Sequence, residues 1–463
     1  MKKIFSALLT VCMLLGCLSA CGSKNPSTSD DGSATTGAKD TIVFAQASDI
    51  TSLDFHVGKN PATYDVTCNI FDTLVTWDAD INVIPHLAES WEFLDEYTVV
   101  INTKGAYTPV LNALCSPLAG IMPKHLLEQN DEALTTNPVG TGPYKFVERK
   151  EGEYVKLEAN ENYWGGTVAT KYLEMRVVPE ASQRSTLLET GEIDIAYDVP
   201  PSDVDRLNAN EATTVLSAPS FKVFYVTINC NSGTKALNDS RVRQAIEYAI
   251  DKEALCASVM YGYATPVASL IGPGVFGYDA SATANIYDIE KSKELLSAAG
   301  YPDGFEMSIW VQSSDQTRQE ACVILQDMLS EVGITVSVEP MDGTVMDDTI
   351  VKGGDFDACS SMYYNLMGDA DYVLYSNISP ESTSNLSHYN NSDAMAKLLA
   401  ARSLTDDAER AAVYKEISSI MAVDRPYIPL WAYQNLVGVR SGVSGFQLNP
   451  ITAYRYENVA NGK

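Results

Sequence analysis

Only four histidines stand in this chain, His56, His86, His125 and His388, and none is at metal-ligand spacing from another histidine or from a cysteine pair. No GxSxG or HExxH signature occurs. His86 and Glu89 are one turn apart, but they follow Pro85 and fit a loop and a helix start better than an acid–base pair. Among the 60 acidic side chains a carboxylate pair of the glycosidase kind stays open, because the separation of two carboxylates in space is not written in a sequence. The glycine-rich run from Asn137 to Phe146 lacks the GxxxxGKS/T spacing and the following helix of a phosphate cradle. Its Gly140, Gly142 and Pro143 predict instead a tight turn entering a strand at Tyr144 to Val147. Nine cysteines occur, at 12, 17, 21, 68, 115, 230, 256, 322 and 359; three belong to the N-terminal leader and six are scattered without a CxxC pair. Those six read as buried thiols, with a disulfide open for some pair. On these grounds no catalytic residue, no metal site and no cofactor is expected.

The leader says where the chain works. Lys2 and Lys3 precede an apolar run from Ile4 to Cys17, too short for a permanent span, and then Leu18-Ser19-Ala20-Cys21. Residues 1–20 therefore read as an export signal, with Cys21 at the place of a lipidated cysteine on the outer face of a bacterial cytoplasmic membrane. Residues 21–40 hold Gly, Ser, Thr and one Pro and no large apolar side chain, the composition of a flexible tether. The roughly 420 residues beyond exceed one compact core, which predicts at least two lobes. A net charge of -28 makes nucleic acid an improbable partner and repels an anionic membrane, so a covalent anchor serves better than adsorption. A monomer is expected.

Strands and helices alternate along the body. Met307, Ile309 and Val311 give a strand over Glu306 to Val311, a helix fits Gln316 to Glu331, Gly333 closes it, and Ile334, Val336 and Val338 resume a strand that stops at Pro340. That order predicts a parallel pair. Asp239 or Ser240 caps a helix carrying Val242, Ala245, Ile246, Ala249 and Ile250 on one face, and another runs from Asp288 to Ala299 before Gly300 and a Tyr301–Gly304 turn. Tyr163-Trp164 reads as an aromatic wedge between lobes, and Gly191-Glu192 as a turn into a strand at Ile193 and Ile195.

Asn137 to Phe146, Asn160-Glu-Asn-Tyr-Trp-Gly-Gly166 and Gly191-Glu-Ile-Asp-Ile-Ala196 stand in an order and spacing that resembles the peptide/nickel class of extracellular solute-binding proteins, family 5. Leu237 to Ile246, Ala249-Ile-Asp-Lys252, Glu294 to Phe305, Ser52-Leu-Asp54, Ile70 to Val75 and Pro85 to Trp91 fit the same pattern. The resemblance covers nearly the whole exported chain. It departs after Trp91 to Val100, where Ile101 to Pro109 passes almost directly to Leu111–Pro123 and leaves out much of a small accessory subdomain.

The resemblance implies an α/β, two-lobe periplasmic-binding-protein-like fold, type II and cluster C-like, with a hinge cleft. Lobe 1 would hold residues 41–220 and 445–463, lobe 2 residues 221–444, with Phe221 to Asn229 crossing the hinge and the region near Gly445 returning. It implies the binding component of an ABC importer, which encloses a peptide or similar small solute and presents the closed form to the permease. Met362 to Asp371 takes the place of the family's cleft loop, which makes Tyr363, Tyr364, Asn365 and Asp369 the expected ligand contacts: rings for apolar walls, an amide and a carboxylate for polar ends. Where peptide-binding relatives place an amine-anchoring aspartate, Leu366 stands here. The competing classes are a surface-anchored chaperone or adhesin on the same scaffold, and a hydrolase.

Overall fold

Thr41–Gln46 (β1) reads TIVFAQ, apolar at both alternating sets of positions, the pattern of a strand covered on both faces. In the computed structural model, which describes residues 39–56, 60–78, 82–85, 106–127 and 131–462, Ile42 and Phe44 enter one core while Val43 and Ala45 enter another on the opposite face. Cys21 with its leader, most of the tether, and the segment holding His86, Glu89 and Trp91 lie outside the described residues.

Val75–Trp77 (β2) and Val83–Pro85 (β3) form a separate antiparallel hairpin. Tyr144–Lys150 (β4), Tyr154–Ala159 (β5), Tyr172–Val177 (β6) and Ile195–Ala196 (β7) gather around β1, with β6 and β7 parallel to it. Thr213–Ile228 (β8) is 16 residues long and leads to the second half of the molecule. There Ala264–Pro266 (β9) is followed by Phe305–Gln312 (β10), Ile334–Met341 (β11) and Ala358–Tyr364 (β12), with β10 parallel to both β11 and β12. Tyr427–Arg440 (β13) then runs antiparallel to β8 from Tyr427↔Thr227 to Arg440↔Thr213, through two register shifts. The resulting 11-stranded sheet has the order β11-β10-β12-β8-β13-β7-β1-β6-β5-β4, with β9 paired to β13 off that path.

Two parallel-centred halves are thus joined through two long antiparallel strands in the middle. Along β8 the alternation sorts side chains to opposite faces of the second half: Phe224, Val226 and Ile228 into one core, Phe221, Val223 and Tyr225 into the other. Beyond β13 the chain forms Val443–Ser444 (β14), passes Gly445 and returns to the first half, where Tyr454, Tyr456 and Val459 enter the core with Phe44 and Ala460–Asn461 (β15) pairs with β14. Tyr197 and Tyr456 stack on Phe44, each at 5.1 Å, and their hydroxyls lie 2.7 Å apart.

The local expectations in the second half are realised. The helix Gln316–Ser330 is capped by Asp315, Gly333 follows at φ +82°, and β10 and β11 pair in parallel, with β11 running one residue past Pro340. Helices Ser240–Tyr248 and Ile289–Ala298 start at the Asp239 and Asp288 caps. In the first half, the glycines before β4 are structural. A Cβ on Gly140 would stand 2.0 Å from the Ile70 carbonyl oxygen, and Gly142 N–H donates to that oxygen at 2.9 Å. Trp164 departs from the wedge expected of it: it is 50 % exposed and donates from Nε1 to Asp72 at 2.7 Å, drawn to the charge that Asp72 shares with Arg455 in the same half. All six cysteines of the body are free thiols.

Candidate ligand cavity between the lobes

The short helix Pro61–Thr67 begins at Asn60, whose Oδ1 accepts from Thr63 N–H at 3.0 Å, with Pro61 preset for the first turn. Asn60 Nδ2 donates to the Asp49 carbonyl at 2.9 Å, and the Asp49 carboxylate pairs with Arg149 at 2.9 Å. Asp65, carried on that anchored helix, is 5 % exposed and lines a cavity of about 150 Å³. The other walls come from both halves: Gln46 at the end of β1, Asp198 after β7, Lys222 on β8, Asn435 on β13, Tyr454 on the returning segment and Met362 on β12.

Four of these side chains carry a buried polar atom with no hydrogen-bond partner: Gln46 Oε1, Asp65 Oδ1, Asn435 Oδ1 and the Tyr454 hydroxyl. Gln46 and Asn435 are held by their other end, Gln46 Nε2 donating to the Ser48 carbonyl at 3.2 Å and Asn435 Nδ2 to the Asn449 carbonyl at 2.9 Å. Each buried orphan costs about 1–3 kcal/mol. Four around one cavity mark a place suited to the polar atoms of another molecule.

The charges are arranged as well as the dipoles. Arg184 holds the Asp198 loop, its Nε donating to the Tyr197 carbonyl at 2.9 Å and its Nη2 to the Asp198 carbonyl at 3.2 Å, while Asp198 itself sits at φ +49°. Lys222 Nζ lies 3.3 Å from Asp198 Oδ1 and 5.2 Å from the centre of the Tyr364 ring. Lys222 draws the Asp198 carboxyl below its ordinary range, while burial, reinforced by Asp198 and opposed by Lys222, pushes Asp65 well above it. A smaller cavity of about 90 Å³ involves Cys68, Trp77, Phe221 and Arg455. Its guanidinium is already taken up by the Cys68 carbonyl, Asp72 and the Tyr163 hydroxyl, each at 3.0 Å.

The four loop residues singled out by sequence lie around the end of β12. The Tyr363 hydroxyl donates to the Tyr372 carbonyl at 3.2 Å and lies 2.7 Å from the Ser376 hydroxyl, from which it can accept. Tyr364 donates to the Ile451 carbonyl at 2.6 Å and presents its ring to Lys222. Asn365 is 3 % exposed; its Nδ2 donates to the Asp369 carbonyl at 2.9 Å and its Oδ1 accepts from Met367 N–H at 3.0 Å. Asp369 is fully buried, caps the helix Ala370–Ile378, and meets Arg410 Nη1 at 2.5 Å and the Tyr414 hydroxyl at 3.1 Å. The polar groups of Asn365 and Asp369 are therefore engaged within the second half.

Sequence reasoning did not single out Gln46, Asp65, Asp198, Asn435 or Tyr454, which converge only in space. Lys222 carried a signal, as the single charge in the crossing strand Phe221 to Asn229.

A two-lobed α/β body with an unsatisfied polar cavity where the lobes meet defines a binding protein of the periplasmic type. Residues 55–385 match the bacterial extracellular solute-binding proteins, family 5, middle region, and the chain belongs to that family. The glutathione-binding protein GsiB of Pectobacterium atrosepticum is 31% identical over 382 residues, 80% of this chain and 74% of that protein. Among solved structures, the periplasmic binding protein DppA of Helicobacter pylori, in complex with the peptide STSA, superposes with a TM-score of 0.81 at 24% identity, covering 92% of this chain and 99% of that one. A dipeptide-binding protein of Pseudoalteromonas sp. SM9913 in complex with Met-Leu gives 0.80 at 19%, covering 91% and 100%. Members of the family bind solutes, and this chain is a solute-binding protein. Among the described residues no helix is long and apolar enough to cross a membrane, and no group of three or more His, Cys, Asp or Glu side chains is placed to hold a metal.

Proposed function

We propose that this chain captures a short peptide or similar small solute in the cavity between its lobes and delivers it to the permease of an ABC importer, without turning it over. The observation that carries the reading is the cluster of unpartnered polar atoms walled by both halves and by the two strands that join them. The names of the relatives, glutathione-binding and dipeptide-binding, support a peptide-sized cargo with free polar ends. Lobe 1 is assigned to residues 41–220 and 445–463 and lobe 2 to 221–444, with β8 and β13 as the hinge strands, and lobe 1 carries a trimmed accessory subdomain. A lipid on Cys21 would hold the protein, as a monomer, at the outer face of the cytoplasmic membrane beside its permease. Of the expected loop contacts, Tyr364 is assigned to the solute through its place beside Lys222, while Tyr363, Asn365 and Asp369 shape the loop behind it.

Native mass spectrometry of the purified protein, followed by denaturing release, tests this. A discrete co-purifying peptide or small polar solute is the expected result. A folded protein that neither carries nor takes up such a solute would overturn the reading.

A further inference from the structure

The geometry points to Asp65 as the anchor for a primary ammonium group of the solute, set in lobe 1 instead of on the lobe 2 loop. This rests on the solute-capture reading and adds the chemical end that the cavity recognises. Leu366, at the loop position that would otherwise bear an anchoring carboxylate, is 5 % exposed and packs in the lobe 1 core cluster. It offers no charge to an amine.

The cavity's own inventory is that of an ammonium receptor. An ammonium group has three donors and no acceptor. The residues that line the cavity carry three buried oxygens that accept nothing within the protein, Gln46 Oε1, Asp65 Oδ1 and Asn435 Oδ1, with the Tyr454 hydroxyl as a fourth. Each belongs to a residue no more than 5 % exposed, so the donors would be met away from bulk water, where charge-assisted hydrogen bonds are strongest. The formal charges agree. Asp65, Asp198 and Lys222 sum to one negative charge when all are ionised, and Lys222 is already committed to Asp198 at 3.3 Å. One further cation completes the balance. The raised proton affinity of Asp65 fits a carboxyl that lacks its counter-ion until the solute arrives.

The test uses the full chain and a mixture of short peptides, each present with a free amine and with an acetylated one, the retained species being read by native mass spectrometry. Wild type is expected to retain the free-amine forms at least tenfold better than the acetylated forms. Asp65→Asn, which keeps the shape and removes the charge, is expected to lose that preference while melting no lower than wild type. Equal retention of both forms by wild type, or a preference that survives in Asp65→Asn, would overturn the assignment while leaving peptide capture intact. Should Asp65→Asn fail to fold, the wild-type comparison decides alone. n-Butylamine is the second probe. If wild type retains no peptide but binds this amine in an Asp65-dependent way, the ammonium site stands and the peptide reading falls; if it binds neither, both fall.

Discussion

Asp65 places a testable pH dependence on binding. Its carboxyl holds a proton to higher pH in the folded chain than its ordinary value of 3.8. The groups that sense it are Asp198 and Lys222, together with Tyr197, Tyr364, Tyr454, Tyr456 and Cys68, whose own pKa values are pushed up so that they stay neutral. The folded state then binds more protons than the unfolded one, so the stability owed to Asp65 is present at acid pH and is lost as pH rises through the folded value. An ammonium solute needs the ionised form. Its affinity should therefore rise with pH through the same window, with proton release on binding measurable by calorimetry in buffers of different ionisation enthalpy; a flat profile would remove Asp65 from the site. Asp369 should behave differently. Removing it leaves Arg410, packed 3.9 Å from the centre of the Phe276 ring, as a buried cation whose one remaining counter-ion is the exposed Asp407 at 3.4 Å. Asp369→Ala is expected to cost about 3–5 kcal/mol in urea unfolding, with solute affinity of the folded fraction changed less than threefold.

At the scale of elements, the strands and helices between Asp288 and Met341 were legible because each announces itself locally, through period-two alternation, an Asp cap or a closing glycine. The crossing strand was legible only from Phe221. Its earlier half, TTVLSAPS, lacks a period-two alternation and contains Pro219, and becomes a strand because β13 pairs along it down to Thr213. The candidate site was less legible still. Asp369 looked available because Arg410 and Tyr414, which occupy it, lie 41 and 45 residues away. Asp65 looked ordinary because nothing in a seven-residue helix shows that Gln46, Asn435 and Tyr454 will meet around it. The glycine turn before β4 allows a prediction of its own. A Cβ on Gly142 would stand 2.6 Å from the Ile70 carbonyl, a backbone that cannot yield without moving the end of the Asp65 helix. Gly142→Ala should lower stability by about 1–3 kcal/mol, the range for overpacking, and should weaken solute retention along with it; an unchanged melting temperature would contradict this.

For the whole molecule, lobe 2 holds together partly through charge. Lys252 is fully buried, with Glu247 at 2.6 Å and the Val267 carbonyl at 3.1 Å, and Arg425 completes the group on Glu247. Glu247→Ala would strand two cations and should cost about 3–5 kcal/mol in thermal or urea unfolding, without altering which solutes the remaining folded protein prefers. The hinge depends instead on β8 and β13, which carry Lys222 and Asn435 into the cavity, so the segments that join the lobes also touch what lies between them. Under the proposed capture, solute binding and lobe closure form one equilibrium, in which the solute favours the state that brings its partners together. The crystal structure of the protein with the solute released from it tests this most directly. It should show that solute between the lobes with a primary ammonium within hydrogen-bonding distance of Asp65. A solute bound elsewhere on the molecule, or one seated in the cavity with no amine at Asp65, would contradict the account.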